Sequence, residues 1–133
     1  MAQLKYLVDS NTLIDYIAEK LPEKTETWID SIIDEEVCLS IINKLEVLGF
    51  NFKNPEDIIP FEELIQIVKI FSLDEAIENK TIELRKTVKI KLPDAIIAAT
   101  ALVHGLTIVS HNLKDFSRIA GLAVIDPHKP LRI

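Results

Sequence analysis

Apolar positions along the chain fall into short continuous runs and longer helical stripes, and the two alternate from one end to the other. Tyr6-Leu-Val8 is a run of strand formers that stops on Asp9, and Leu13, Ile14, Ile17 and Ala18 then recur at helical spacing. Ser10, Asn11 and Thr12, lying between run and stripe, are residue types that start helices. A buried strand is therefore expected to feed straight into a helix, with Asp9 at the strand's carboxyl edge. Leu21-Pro22 marks a break, and Pro22 suits the first turn of a new helix. Trp28, Ile29, Ile32 and Ile33 give that helix one apolar face, closed by Asp34-Glu-Glu36. Val37 to Ile41 reads as the second strand, and Asn43 is placed to cap a helix whose apolar positions are Leu45, Val47, Leu48 and Phe50.

Asn51 to Pro60 reads as a loop or a set of short turns, Phe61 to Ile67 as a helix, and Val68 to Ser72 as a short strand. A helix starts at Asp74 and runs to roughly Thr87. Lys91 to Val103 is apolar nearly all round, the pattern of a buried helix, and His104-Gly105 fits its C-terminus. Leu106 to Ser110 is a strand, Asn112 to Phe116 a loop or turn, and Leu122 to Ile125 a last strand. Strands alternating with helices throughout predict an α/β domain with a largely parallel sheet.

Composition sharpens this picture. At 133 residues, 48% of them hydrophobic and only 3 glycine, the chain reads as a single domain over residues 1–133, able to bury roughly two thirds of its unfolded surface. The N-terminal apolar run is too short for a secretory signal, and Ala95 to Val103 is about half a membrane span. No membrane partner is expected, and the cytoplasm is the expected compartment. Cys38, the single cysteine, excludes an internal disulfide and reads as a small buried hydrophobe.

The net charge of −6 is unevenly spread. Residues 1–79 carry 6 Lys and Arg against 17 Asp and Glu, whereas residues 80–133 carry 9 against 4. Within the second part, Lys80, Arg85, Lys86, Lys89 and Lys91 form a candidate phosphate-contacting surface, or a solvated helix face.

Several acids stand where the local pattern explains them poorly. Asp9 ends a strand at the edge where open parallel sheets bind ligands, although it also suits a helix cap. Glu46 lies between Leu45 and Val47, three residues past Asn43, which approximates a capping box. Asp94 follows Pro93 in the first turn of the most apolar helix, where the helix dipole favours an acid. Asn112 and Asp115 follow the strand Leu106 to Ser110, and Asp115 could form a local turn. One α/β architecture puts all of these groups at the same sheet edge. Carboxylates converging there would force protons back onto one another without a cation. Oxygen donors without a His or Cys cluster suit Mg²⁺ or Mn²⁺, which can activate water and neutralise a phosphoryl oxygen. His104, His111 and His128 lack ligand spacing, and Trp28 reads as core or as part of a dimer face.

Four segments carry a resemblance to the PIN domain, and within it to VapC-type toxin ribonucleases of toxin–antitoxin pairs. They are Tyr6-Leu-Val-Asp-Ser-Asn-Thr-Leu-Ile-Asp15, Ser40-Ile-Ile-Asn-Lys-Leu-Glu46, Leu92-Pro-Asp-Ala-Ile-Ile-Ala-Ala-Thr100 and Thr107-Ile-Val-Ser-His-Asn-Leu-Lys-Asp-Phe116. Their order and spacing match the family from end to end. The resemblance implies a PIN-like three-layer sandwich, a central mostly parallel sheet flanked by helices. It also implies that Asp9, Glu46 and Asp94 bind divalent metal (Mg²⁺ or Mn²⁺), and that Asn11 and Ser110 support the Asp9 carboxylate. The family's fourth position, often Asp, falls on Asn112, so either Asn112 or the nearby Asp115 would complete the metal site.

The reading that follows is a metal-dependent endoribonuclease with Asp9, Glu46, Asp94 and Asn112 as catalytic residues. Arg85, Lys86, Lys89 and Lys91 are candidate RNA contacts, and the expected partners are RNA, a small cognate antitoxin and a second copy of the chain. An alternative is a catalytically weak PIN domain serving as an RNA or protein interaction module. A phosphatase of the haloacid dehalogenase type would want a second Asp where Asn11 stands.

Overall fold

The computed structural model describes residues 3–129. The chain runs β1 (Tyr6–Val8), α1 (Ser10–Ile17), α2 (Glu23–Ile32), β2 (Val37–Ser40), α3 (Ile41–Leu48), a 3₁₀ turn (Pro55–Ile58) and α4 (Ile59–Ile67). It continues with β3 (Lys69–Phe71), α5 (Glu75–Thr87), α6 (Leu92–His104), β4 (Thr107–Val109), α7 (Leu113–Phe116) and β5 (Val124–Ile125). The strands form one sheet in the order β3-β2-β1-β4-β5, every pairing parallel.

The two-residue period of a strand explains the layers. Leu7, Cys38 and Ile108 point to one face and pack with Ile77, Leu84 and the Ala95–Ala101 stretch of α5 and α6. Val8, Val37, Leu39 and Val109 point to the other, against Leu13, Ile32, Val47, Phe61 and Leu64 of α1 to α4. With helices on both faces, the sheet is the middle of a three-layer α/β sandwich. Each of these large side chains, once fully buried, contributes about 1.5–3 kcal/mol. Cys38 is fully buried, as expected, and burial pushes its thiol up to about 12. Gly105 ends α6 at φ 65°, a left-handed conformation that a side chain would strain. No helix among the described residues is long and apolar enough to cross a membrane.

Three segments differ from their sequence patterns. The second strand stops at Ser40, and Ser40 rather than Asn43 caps α3. The Ser40 hydroxyl accepts from the Ile42 N–H at 3.1 Å, and Asn43 Oδ1 accepts from the Ser40 N–H at 2.9 Å. Asn thus closes a capping box at a position where Glu or Gln is usual. The buried side of α3 carries Asn43 and Val47, so Leu45 faces outward, and Phe50 beyond the helix is also exposed. Asn112 to Phe116, read as a loop or turn, holds one turn of helix, Leu113–Phe116, which buries Phe116. The fourth helix begins before Phe61, at Ile59, with Pro60 in its first turn, where a missing N–H is tolerated.

Candidate active site

The strand order makes the site. From the central strand β1 the chain moves outward through β2 and β3, then returns to the other side of β1 for β4 and β5. Ligands in such sheets bind beyond the carboxyl ends of the strands flanking this reversal. Val8 pairs with Val109, so the next residues on each strand, Asp9 and Ser110, lie side by side. The Asp9 N–H donates to the Val109 carbonyl at 3.0 Å.

Asp9 is 6% exposed. Its Oδ2 accepts from the Ser110 hydroxyl at 2.7 Å, and its Oδ1 from the Ser10 N–H at 2.9 Å and from Asn43 Nδ2 at 3.4 Å. Burial raises the Asp9 pKa, and these three donors oppose the rise. Asn43 Nδ2 also reaches the Ser10 hydroxyl at 3.0 Å, which in turn donates to Glu46 Oε1 at 2.6 Å. Since Ser40 and Asn43 cap α3, Glu46 is free of the capping role that its spacing allowed. It stands on the outer side of α3, joined to Asp9 through Ser10.

Asp94 occupies the third position of α6, half-buried, where the positive end of the helix dipole would favour ionisation. Its pKa is nevertheless pushed up to about 6, by burial first and then by the charges of Asp9, Asp115 and Glu46, with Lys91 opposing. Four carboxylates from four segments therefore share one region. The fourth, Asp115, accepts from Arg118 Nη2 at 3.0 Å through Oδ1 and from Asn112 Nδ2 at 3.2 Å through Oδ2. Asn112 is held at its other end as well, its N–H donating to the Ser110 hydroxyl at 3.0 Å. The amide of Asn112 is thereby oriented, and its Oδ1 takes no hydrogen bond among the described residues.

Asn11 is not brought to Asp9. It falls in the first turn of α1 on the exposed side, with its Oδ1 facing Thr12 Oγ1 at 3.5 Å, and Ser10 and Asn43 take the role expected of it. The basic cluster divides. Lys80 pairs with Glu83 at 3.0 Å, and Arg85 turns back to the Ile90 carbonyl at 2.7 Å. Lys86 is exposed, while Lys89 and Lys91 line a groove together with Lys114, Asp115 and Arg118. Lys114 and Arg118 carry no sequence signal beyond their place around Asp115. His111 and His128, distant in sequence, meet edge to face at 4.9 Å and pair with Asp126 and Asp15 at 3.1 and 3.0 Å.

The residues present suit a hard divalent cation in chemistry. The donors are carboxylate and amide oxygens, and burial together with the negative charge they gather raises Asp94, against Lys91. Among the described residues, no three His, Cys, Asp or Glu side chains already stand in the arrangement of a metal site. Asp9 is locked, so drawing oxygens to one point falls to Glu46 and Asp94, whose side chains are less buried.

The chain is similar to known proteins in sequence and in fold. The chain is 28% identical to the tRNA(fMet)-specific endonuclease VapC of Salmonella typhimurium, with 92% of this chain and 98% of that protein covered. The DNA-bound VapBC structure from Salmonella typhimurium superposes with a TM-score of 0.81 at 26% identity, over 93% of this chain and 98% of that one. A toxin–antitoxin complex from Klebsiella pneumoniae gives 0.75 at 28%, over 95% and 100%. The PIN domain model matches residues 6–122, from β1 to just before β5. The match takes in Asp9, Glu46, Asp94, Asn112 and Asp115, and the chain belongs to the PIN domain family.

Proposed function

We propose that this chain is a divalent-metal-dependent endoribonuclease acting in the cytoplasm, the toxin of a toxin–antitoxin pair. The observation that carries the reading is the convergence of Asp9, Glu46, Asp94 and Asp115 at the sheet reversal, with Asp94 pushed up to about 6 by burial first and then by its neighbours. The names of the relatives support the substrate class and the small antitoxin partner. Asp9, Glu46 and Asp94 would hold Mg²⁺ or Mn²⁺, with Asn112 Oδ1 as the fourth oxygen and Asp115 as the group that orients it. A divalent cation bound there supplies a Lewis acid for a phosphoryl oxygen and lowers the pKa of water.

The chain's own residues set the conditions for that chemistry. Ser110, Ser10 and Asn43 hold Asp9 in place and oppose the rise in its pKa that burial causes. Ser10 holds one oxygen of Glu46 and leaves the other to the site. Asp94 retains a proton up to about pH 6, so the site gathers its full negative charge only above that. We further propose a homodimer as the working form.

The test is cleavage of a structured RNA by purified protein with Mn²⁺, Mg²⁺ or EDTA. Cutting with either metal and none in EDTA is expected; a folded protein that cuts no RNA with any divalent metal would leave the interaction-module alternative in its place.

A further inference from the structure

The groove beside Asp115 is built from two segments that the fold locks together. Lys89 and Lys91 come from the α5–α6 connection, and Lys114 and Arg118 from α7 and the residues after it. Arg118 Nη2 joins the two, donating to the Lys89 carbonyl at 2.9 Å and to Asp115 Oδ1 at 3.0 Å. Four cations and one carboxylate thus line a cavity of about 480 Å³ in a chain whose net charge is −6. Solvated lysines on a helix face need no such arrangement. Here a guanidinium is held in place, with further N–H donors on a side chain that lines the groove.

Resting on the ribonuclease reading above, we infer that this groove is a subsite for a backbone phosphate of the RNA, next to the position that is cut. Its location supports this. Asp115 belongs to the groove and to the acid site at once, and Lys91 is close enough to act on the charge of Asp94. A polyanion laid across the acids is repelled by them, and the groove is where its adjoining phosphate meets the opposite sign. The Nη1 N–H groups of Arg118 remain to donate to a phosphodiester oxygen, with the lysines as point charges around it. Arg85, although in the basic half of the sequence, does not line this groove, and its guanidinium donates to the Ile90 carbonyl. Arg118 is a positioning residue as well as a contact, since it also orients Asp115.

Binding is measured by anisotropy with a fluorescein-labelled single-stranded RNA across a salt series in EDTA, so that neither metal nor cleavage enters. Lys89→Gln with Lys114→Gln should weaken binding about fivefold or more at low salt and reduce the slope of log affinity against log salt by about 0.7, the value for one phosphate contact on single strands. Lys89→Arg with Lys114→Arg should keep the wild-type slope, and Mn²⁺ titration should be unchanged in both. The exposed pair Lys24→Gln with Lys53→Gln is the control for general charge. An unchanged slope in the glutamine groove variant, or an equal loss in the control, overturns the subsite. Wild-type protein that binds RNA through the groove but never cuts it overturns the nuclease reading and leaves the subsite standing. Normal binding by the glutamine groove variant, with wild-type cutting intact, does the reverse.

Discussion

On the β1 side of the site, Asp9 is almost wholly buried and its two oxygens accept from Ser110, Ser10 and Asn43, two of which are themselves fully buried. On the α6 side, Asp94 is half-buried, and the causes of its raised pKa include no hydrogen bond: they are burial and the charges of Asp9, Asp115 and Glu46, opposed by Lys91. The same residue type is therefore held in two ways. Asp9 belongs to a satisfied network that rigidifies the sheet edge. Asp94 is strained electrostatically, its charge disfavoured by burial and by the neighbouring acids although it stands in the first turn of a helix. Perturbed acids of the second kind are the ones that point to function.

The largest expected contrast is in activity. Asp94→Asn should keep the fold, checked by circular dichroism, and lose about a hundredfold or more in RNA cleavage with Mn²⁺, as removal of a group acting on the transition state does. Full activity in the folded variant would remove Asp94 from the catalytic set.

Metal linkage should follow. Saturating Mn²⁺ at about a hundred times its Kd should stabilise the wild-type fold by about 2.7 kcal/mol, read as a rise in melting temperature, and Asp9→Asn should erase most of that rise. A wild-type midpoint indifferent to Mn²⁺ and Mg²⁺ alike argues against the site. Next, the satisfied side should be sensitive to truncation without metal. Ser110→Ala or Asn43→Ala leaves a buried polar group short of a partner, an expected loss of about 1–3 kcal/mol in urea unfolding. Asn11→Ala, on the exposed side of α1, should stay near wild type.

The strained side should respond to pH with the opposite sign. The folded pKa of Asp94 is raised from 3.8 to about 6, so its charged form destabilises the fold. That penalty is absent below about pH 4, grows as pH rises, and is complete above about pH 6. In EDTA, Asp94→Asn should therefore be more stable than wild type above pH 6, by about 1–2 kcal/mol once solvent screening is allowed for, and equal to it in acid. A gain that is the same at all pH values would mean that the charge is not the cause.

The smallest effect separates Asn112 from Asp115. Asn112→Asp should tighten Mn²⁺ binding severalfold in calorimetric titration, because a carboxylate binds a hard cation better than an amide. Asp115→Ala should lower stability and weaken metal binding only modestly, through a less well oriented Asn112. If Asp115→Ala loses metal outright while Asn112→Asp changes nothing, Asp115 is the ligand.

Much of this was present in the one-dimensional pattern, for a physical reason. Strands and helices are read from the alternation and the 3.6-residue recurrence of apolar side chains, and both are local consequences of backbone geometry. Tyr6-Leu-Val8, the largely apolar Ala95–Ala101 stretch and the Gly105 terminus are therefore legible, as is the odd placement of Asp9 and Asp94 against that pattern. Local rules were weaker where two polar residues competed for one task. Ser40 and Asn43 could each cap α3, and the choice went to Ser40 once Asn43 was needed beneath Asp9 and Ser10.

What the chain could not decide by itself is who stands beside whom. Ser110 supports Asp9 because the β1–β4 register sets Val8 against Val109, over a separation of 101 residues. Asn11 misses Asp9 because one residue's advance along a helix turns a side chain by about 100°. Arg118 joins the α5–α6 connection through a bond to the carbonyl of Lys89, a partner that no side-chain pattern encodes. Sequence determines which segments become strands and helices, since those depend on neighbours a few residues away. Only the sheet order and register bring the acids to one edge and the cations to the groove beside it, because they set distances between residues far apart in the chain.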